Sequence, residues 1–200
     1  MNLFRTLRGA AFFALAGTGL SSCLEAPDYP VVPAIDFKEV RVEHIPAGVE
    51  DAVDKLTFVL DFRDGDGDLG LGKDDILVAP YNQPPTPGVP PRNHPTNSFN
   101  YFIQPFVKDA LTKQFVPYIT PLITLGQYDG TFPRLDLAGG KFEADVKPAP
   151  LKGELRYELP LGIDGQSYSP GQVMRFEITI MDRALNVSNT VTTSEVTLGR

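Results

Sequence analysis

The 200-residue chain has no tryptophan and a single cysteine, Cys23. One cysteine can make neither an internal disulfide nor a cysteine-based zinc site. Histidine is almost as scarce: His44 and His94 lie in different contexts, with no Ser or Cys nucleophile motif near either. The Gly-x-Ser-x-Gly, His-Glu-x-x-His, phosphate-loop and dinucleotide-binding patterns are all missing, so the sequence gives no sign of an enzyme. Positive charge is short as well. Eighteen Lys and Arg stand against 25 Asp and Glu, a net charge of −7, which argues against a nucleic-acid partner. No stretch beyond the N-terminus offers an amphipathic helix. In contrast, 19 Pro and 18 Gly fill nearly a fifth of the chain, where about 12% is usual. Each interior proline removes a helix donor and clashes with the preceding turn, which excludes a helical bundle and leaves a loop-rich β domain.

The N-terminus has the layout of an export signal over residues 1–22. Arg5 and Arg8 precede an uncharged stretch, Gly9 to Leu20, rich in Ala, Phe and Leu. That stretch falls short of the roughly 20 apolar residues a membrane-spanning helix needs. Leu20-Ser21-Ser22-Cys23 closes it and resembles the bacterial lipobox, which implies that Cys23 is lipidated and becomes the new N-terminus. Acyl chains stabilise membrane attachment by about 0.8 kcal/mol per buried CH₂. Loss of Arg5 and Arg8 leaves 16 basic against 25 acidic residues, a mature net charge of −9. Anionic lipid repels such a surface, so the anchor and not surface charge holds the protein to the membrane. Pro27, Pro30 and Pro33 make residues 23–34 a semi-rigid tether, extended at about 3.1 Å per residue.

Residues 35–200 read as one domain of seven strands. Leu56, Phe58, Leu60 and Phe62 alternate with Thr57, Val59 and Asp61, and Met174, Phe176, Ile178 and Ile180 alternate with Arg175, Glu177 and Thr179, a clean period of two. Phe37 to Ile45, Phe99 to Lys108, Phe115 to Ile119, Gly153 to Leu159 and Ser188 to Leu198 supply the rest. Pro105 marks Phe99 to Lys108 as an edge strand or a bulged one. The fold class is all-β, an antiparallel two-sheet sandwich of the immunoglobulin or fibronectin type, with a barrel or jelly roll as the alternative. Two connections, Ala79 to Ser98 and Leu122 to Pro150, are longer than ordinary loops.

Asp64-Gly65-Asp66-Gly67-Asp68-Leu69-Gly70, followed by Asp74 and Asp75, concentrates the acid. Carboxylates at alternate positions repel one another unless a cation or solvent screens them. Calcium takes six to eight oxygens, and the EF-hand loop draws them from positions 1, 3, 5, 7, 9 and 12. Counting from Asp64, Asp66, Asp68, Gly70 and Asp75 fall at positions 3, 5, 7 and 12. Leu69 replaces the family's Gly at position 6, Asp75 is shorter than the usual Glu, and the loop follows a strand. The segment therefore resembles the Asp-rich calcium loops of extracellular β proteins more than an EF-hand. The competing reading is a metal-free Asp/Gly turn, since both residues favour turns.

Asp182-Arg183-Ala184-Leu185-Asn186-Val187-Ser188-Asn189 lies between the last two strands. It resembles the Asp-x-x-Gly-Asn-x-Ser turn of bacterial immunoglobulin-like domains, with Leu185 in place of Gly. In a sandwich whose second and sixth strands are the clean ones, both clusters occupy loops at one end. The expected site is Ca²⁺ held by Asp64, Asp66 and Asp68, with Asp75 or Asp182 completing the shell. The tether enters at the same end.

Together these features resemble small lipoproteins of uncharacterised function from Bacteroidota-type bacteria. The resemblance implies a cell-envelope location, most simply the outer membrane, and no activity. The expected function is a lipid-anchored, non-enzymatic module that binds or scaffolds another envelope component, a protein or a glycan, with structural Ca²⁺. A carbohydrate- or ligand-binding module using Phe99, Tyr101, Phe102 and Phe106 is the alternative, and a hydrolase or enzyme accessory comes last.

Overall fold

The computed structural model describes residues 28–48, 51–85, 94–135 and 149–200; the signal segment and Cys23 lie outside them. The strands are β1 (Ala34–Ile45), β2 (Ala52–Asp64), β3 (Tyr101–Lys108), β4 (Phe115–Pro117), β5 (Leu151–Ile163), β6 (Val173–Ile180), β7 (Val191–Thr192) and β8 (Val196–Thr197). The one helical element among the described residues is a 3₁₀ turn at Asp75–Leu77. Two antiparallel sheets result, one of three strands in the order β1-β2-β5 and one of five in the order β4-β3-β6-β7, with β8 also paired to β6. The arrangement is all-β and consistent with a sandwich.

The period-two segments meet across the gap between the sheets. Phe58 of β2 packs edge-on against Phe176 of β6 with centroids 5.0 Å apart, and Tyr157 of β5 meets Tyr101 of β3 at 4.6 Å. Leu56, Phe58, Leu161, Met174, Phe176 and Ile180 are almost wholly buried. Each contributes about 1.5–3 kcal/mol of transfer free energy. β1 reaches across to the other sheet through Asn189, whose side chain accepts from the Ile35 N–H and donates to the Ile35 carbonyl. β2 thus lies over β6, β5 over β3 and β1 over β7. β4 extends past β5 with no strand above it among the described residues.

Two expectations change in detail. The single last strand, Ser188 to Leu198, is interrupted between β7 and β8. There the Thr193 hydroxyl accepts from the Phe176 N–H while its own N–H bonds the Phe176 carbonyl. Pro105 does not mark an edge or a bulge, because β3 pairs with β4 on one side and β6 on the other. Its carbonyl accepts from Tyr118 on the β4 side. The missing donor therefore faces the end of β4 and costs the β6 ladder nothing.

Candidate metal centre

β2 ends at Asp64, and the chain then turns under the sandwich. The two glycines of that turn with positive φ are packed against neighbouring backbone. A side chain at Gly67, φ 69°, would collide with the Ala149 carbonyl, and one at Gly70, φ 89°, with Pro133. The Gly65 N–H donates to the Pro30 carbonyl at 2.9 Å, so the chain just ahead of β1 lies on the same loop. Glycine sits where other segments press in, and the alternate aspartates are left to face one another.

A fourth carboxylate joins them. Leu69, fully buried, bridges Asp182 in an antiparallel pair, which carries the turn after β6 onto the loop after β2. Asp64, Asp66, Asp68 and Asp182 each present an oxygen such that all four lie within 4.8 Å of one another. Opposite oxygens in a calcium shell, at 2.3–2.6 Å from the ion, are about 4.6–5.2 Å apart. The spacing fits a hard cation of that size.

The hydrogen bonds divide the oxygens in a telling way. Asp64 Oδ2 accepts from the Asp68 N–H at 2.9 Å and Asp68 Oδ2 from the Ala184 N–H at 3.0 Å. Oδ1 of Asp64, Asp66 and Asp68 are all buried and have no partner. Asp182 is fixed by Asn186, whose N–H reaches Oδ1 at 2.7 Å and whose amide reaches Oδ2 at 2.8 Å. Arg183 donates to the Leu69 and Gly70 carbonyls at 3.3 Å, and its charge opposes the rise at Asp68.

Charge makes this arrangement costly without a cation. Two ionised carboxylates about 5 Å apart repel by about 3 kcal/mol at an effective dielectric of 20, and a whole domain is stable by only about 5–15 kcal/mol. Burial first, then the charges of Asp66 and Asp68, push Asp64 up to about 7. Burial likewise raises Asp182 to about 6, against the opposing hydrogen bonds from Asn186. Asp68 is raised too, by burial and then by Asp66. The site either takes up protons or takes up a cation.

Asp75 stands apart from the four. Its Oδ2 accepts from the Gly72 N–H at 2.7 Å and lies 3.7 Å from the Arg134 guanidinium. Of the two candidates for completing the shell, the fold brings Asp182 to the group and turns Asp75 toward Arg134. Phe102 and Tyr101 belong to the interior or its margin, Phe99 stacks on His94 at 3.7 Å, and Phe106 lies under Arg175. Sequence reasoning did not see that each histidine meets a buried acid, His44 with Asp54 at 2.6 Å and His94 with Asp129 at 3.0 Å. The partners are distant in sequence, and no spacing motif signals them. Comparison with protein families, with curated proteins and with solved structures finds no match for this chain.

Proposed function

We propose that the protein is an exported, lipid-anchored β-sandwich of the immunoglobulin or fibronectin type that binds or scaffolds another envelope component, with Ca²⁺ as a structural ion. The observation that carries the calcium reading is that Oδ1 of Asp64, Asp66 and Asp68 are buried without a hydrogen-bond partner, in residues that each offer a carboxylate oxygen within 4.8 Å of the others. Buried polar atoms in native folds nearly always have one, and oxygen-only donors suit calcium. Asp182 is the fourth ligand, and water or backbone carbonyls supply the remainder. The strand order supports the finer fold reading: first, second and fifth strands in one sheet, third, sixth and seventh in the other, with the fourth paired to the third.

Location rests on sequence. The lipobox-like Leu20-Ser21-Ser22-Cys23 supports attachment through Cys23, most simply at the outer membrane of a Gram-negative cell. The carbonyl of Pro30, seven residues after Cys23, accepts from the Gly65 N–H of the Asp loop, which supports a site on the anchored side of the domain. A structural role is favoured over catalysis by spacing. Carboxylate pairs in glycoside hydrolysis stand about 5–9.5 Å apart with room for substrate, whereas these four close on one point.

Melting curves in excess Ca²⁺ and in EDTA test the reading. Ca²⁺ raises the melting temperature of the wild type, and Asp66→Ala removes the rise. Identical wild-type curves overturn it. Metabolic labelling with a fatty acid that is lost in Cys23→Ala tests the anchor separately.

A further inference from the structure

Single exposed aliphatic side chains are ordinary on a protein surface. Most of those here are of that kind. Leu111 stands alone in the turn between β3 and β4, and Val116, Ile119 and Leu122 are separated by intervening residues. One run differs. Ile76, Leu77 and Val78 are consecutive and all exposed, Leu77 at 69%, and Ala79 after them is exposed too. They form the 3₁₀ turn and its C-cap, a short way beyond the Asp loop.

The run lies at the site end of the sandwich. Tyr81 ties it there: its N–H donates to the Val78 carbonyl and its hydroxyl to the carbonyl of Arg183, next to Asp182, both at 2.9 Å. Val31 and Val32, a second exposed pair, belong to the same end, because the Pro30 carbonyl beside them accepts from Gly65. Cys23 precedes Pro30 by seven residues, at most about 25 Å of extended chain. An acyl anchor at Cys23 therefore keeps this end close to the bilayer. Leu111 lies past the opposite end of β3, a strand of eight residues and so about 26 Å long.

The backbone of the turn suits a dry neighbour. The N–H groups of Leu77 and Val78 donate to the carbonyls of Asp74 and Asp75 at 3.2 and 3.1 Å. The Leu77 carbonyl accepts from the Asn82 side-chain amide, and the Val78 carbonyl from the N–H groups of Tyr81 and Asn82. Backbone that enters the apolar margin of a bilayer has to be bonded internally, and these four groups are. Asp64, Asp66, Asp68 and Asp182 make the same end acidic, so it suits zwitterionic headgroups and not anionic ones. Three aliphatic side chains grip a bilayer weakly by themselves. A short tether raises their effective concentration to about millimolar, at which a weak contact persists.

We propose that Ile76, Leu77 and Val78 rest in the interface of the bilayer that carries the anchor, so that the domain stands on the membrane by its site end. The inference rests on the acylation of Cys23 and needs no calcium.

The chain has no tryptophan, so an introduced one reports alone. Full-length Leu77→Trp and Leu111→Trp chains are purified from membranes and reconstituted into phosphatidylcholine vesicles, with and without bromine on the acyl chains. Leu77→Trp emission moves to the blue and loses about half its intensity to the brominated lipid, as befits a side chain about 5–10 Å into the interface. Leu111→Trp emits as in water and is not quenched. Adding Val78→Asp to Leu77→Trp abolishes the quenching, and the exposure of Val78 lets the fold tolerate the change, which circular dichroism verifies. Absence of quenching at position 77 overturns the proposal and leaves the turn to a protein partner. Equal quenching at positions 77 and 111, or quenching that survives Val78→Asp, overturns it as well. The intact mass of the same sample shows whether Cys23 is acylated, which separates failure of the anchor from failure of the contact.

Discussion

The two oxygens of Asp64 have opposite fates. One holds the loop by accepting from Asp68, and the other is buried with nothing to accept. That second oxygen makes the folded state a poor home for the ionised form, so the carboxyl titrates near 7 where the ordinary value is 3.8. The sign follows from linkage. A carboxyl whose pKa is raised by folding stabilises the fold fully below about pH 4. The contribution is lost as pH climbs through about 6 for Asp182 and about 7 for Asp64. In EDTA, wild type should therefore lose stability relative to Asp64→Asn between pH 4 and 7, by about 1–3 kcal/mol, in the range for a buried group without its partner. Excess Ca²⁺ requires the deprotonated form, so its stabilisation of wild type should grow over the same window. Urea titrations of both proteins at four pH values check this. A wild-type advantage that widens with pH in EDTA would be the contrary result.

The turn after β6 shows an element built at a cost. Asp182 closes it through its carbonyl and carboxylate, but Leu185 is forced to φ 65°. A left-handed conformation costs an ordinary L-residue about 1–2 kcal/mol, and the turn this segment resembles has Gly there. Leu185→Gly should raise stability by about 1 kcal/mol, after allowing for the lost side chain and the freer unfolded chain. Chemical denaturation with and without Ca²⁺ reads it out; an equal loss of stability in both would show that packing of the half-buried leucine outweighs strain. The same turn shows how far sequence reaches. The strands Leu56–Phe62 and Met174–Ile180 were legible because the inner face of each is apolar and buried while the other face is mostly polar, although Val59 and Thr179 on that other face are buried too. The Asp64–Asp68 trio was legible because its spacing is local. The choice between Asp75 and Asp182 was not, since it depends on the Leu69–Asp182 bridge between segments more than a hundred residues apart. The reach of Asn189 to Ile35 and the break at Thr193 were hidden for the same reason: side chains there replace ladder bonds, and hydrophobic periodicity carries no trace of that.

For the molecule as a whole, the candidate site doubles as a seam. Its carboxylates come from the end of β2 and from the turn after β6, strands of different sheets, and Pro30, Pro133 and Ala149 all press on the same loop. None of the four carboxylates gains its neighbours from local chain alone once Asp182 is counted. The centre is complete only after the two sheets have docked. Contacts so far apart along the chain form late in folding, and interactions absent from the transition state act on escape from the native state. Calcium at a hundred times its dissociation constant should then slow unfolding by about a hundredfold while leaving the refolding rate within about twofold. Stopped-flow measurements with and without the ion would show it, and a matching acceleration of refolding would be the opposite finding. An ion placed at this seam does not guide the chain to its fold. It acts as a latch, setting how long a finished domain survives once it has closed.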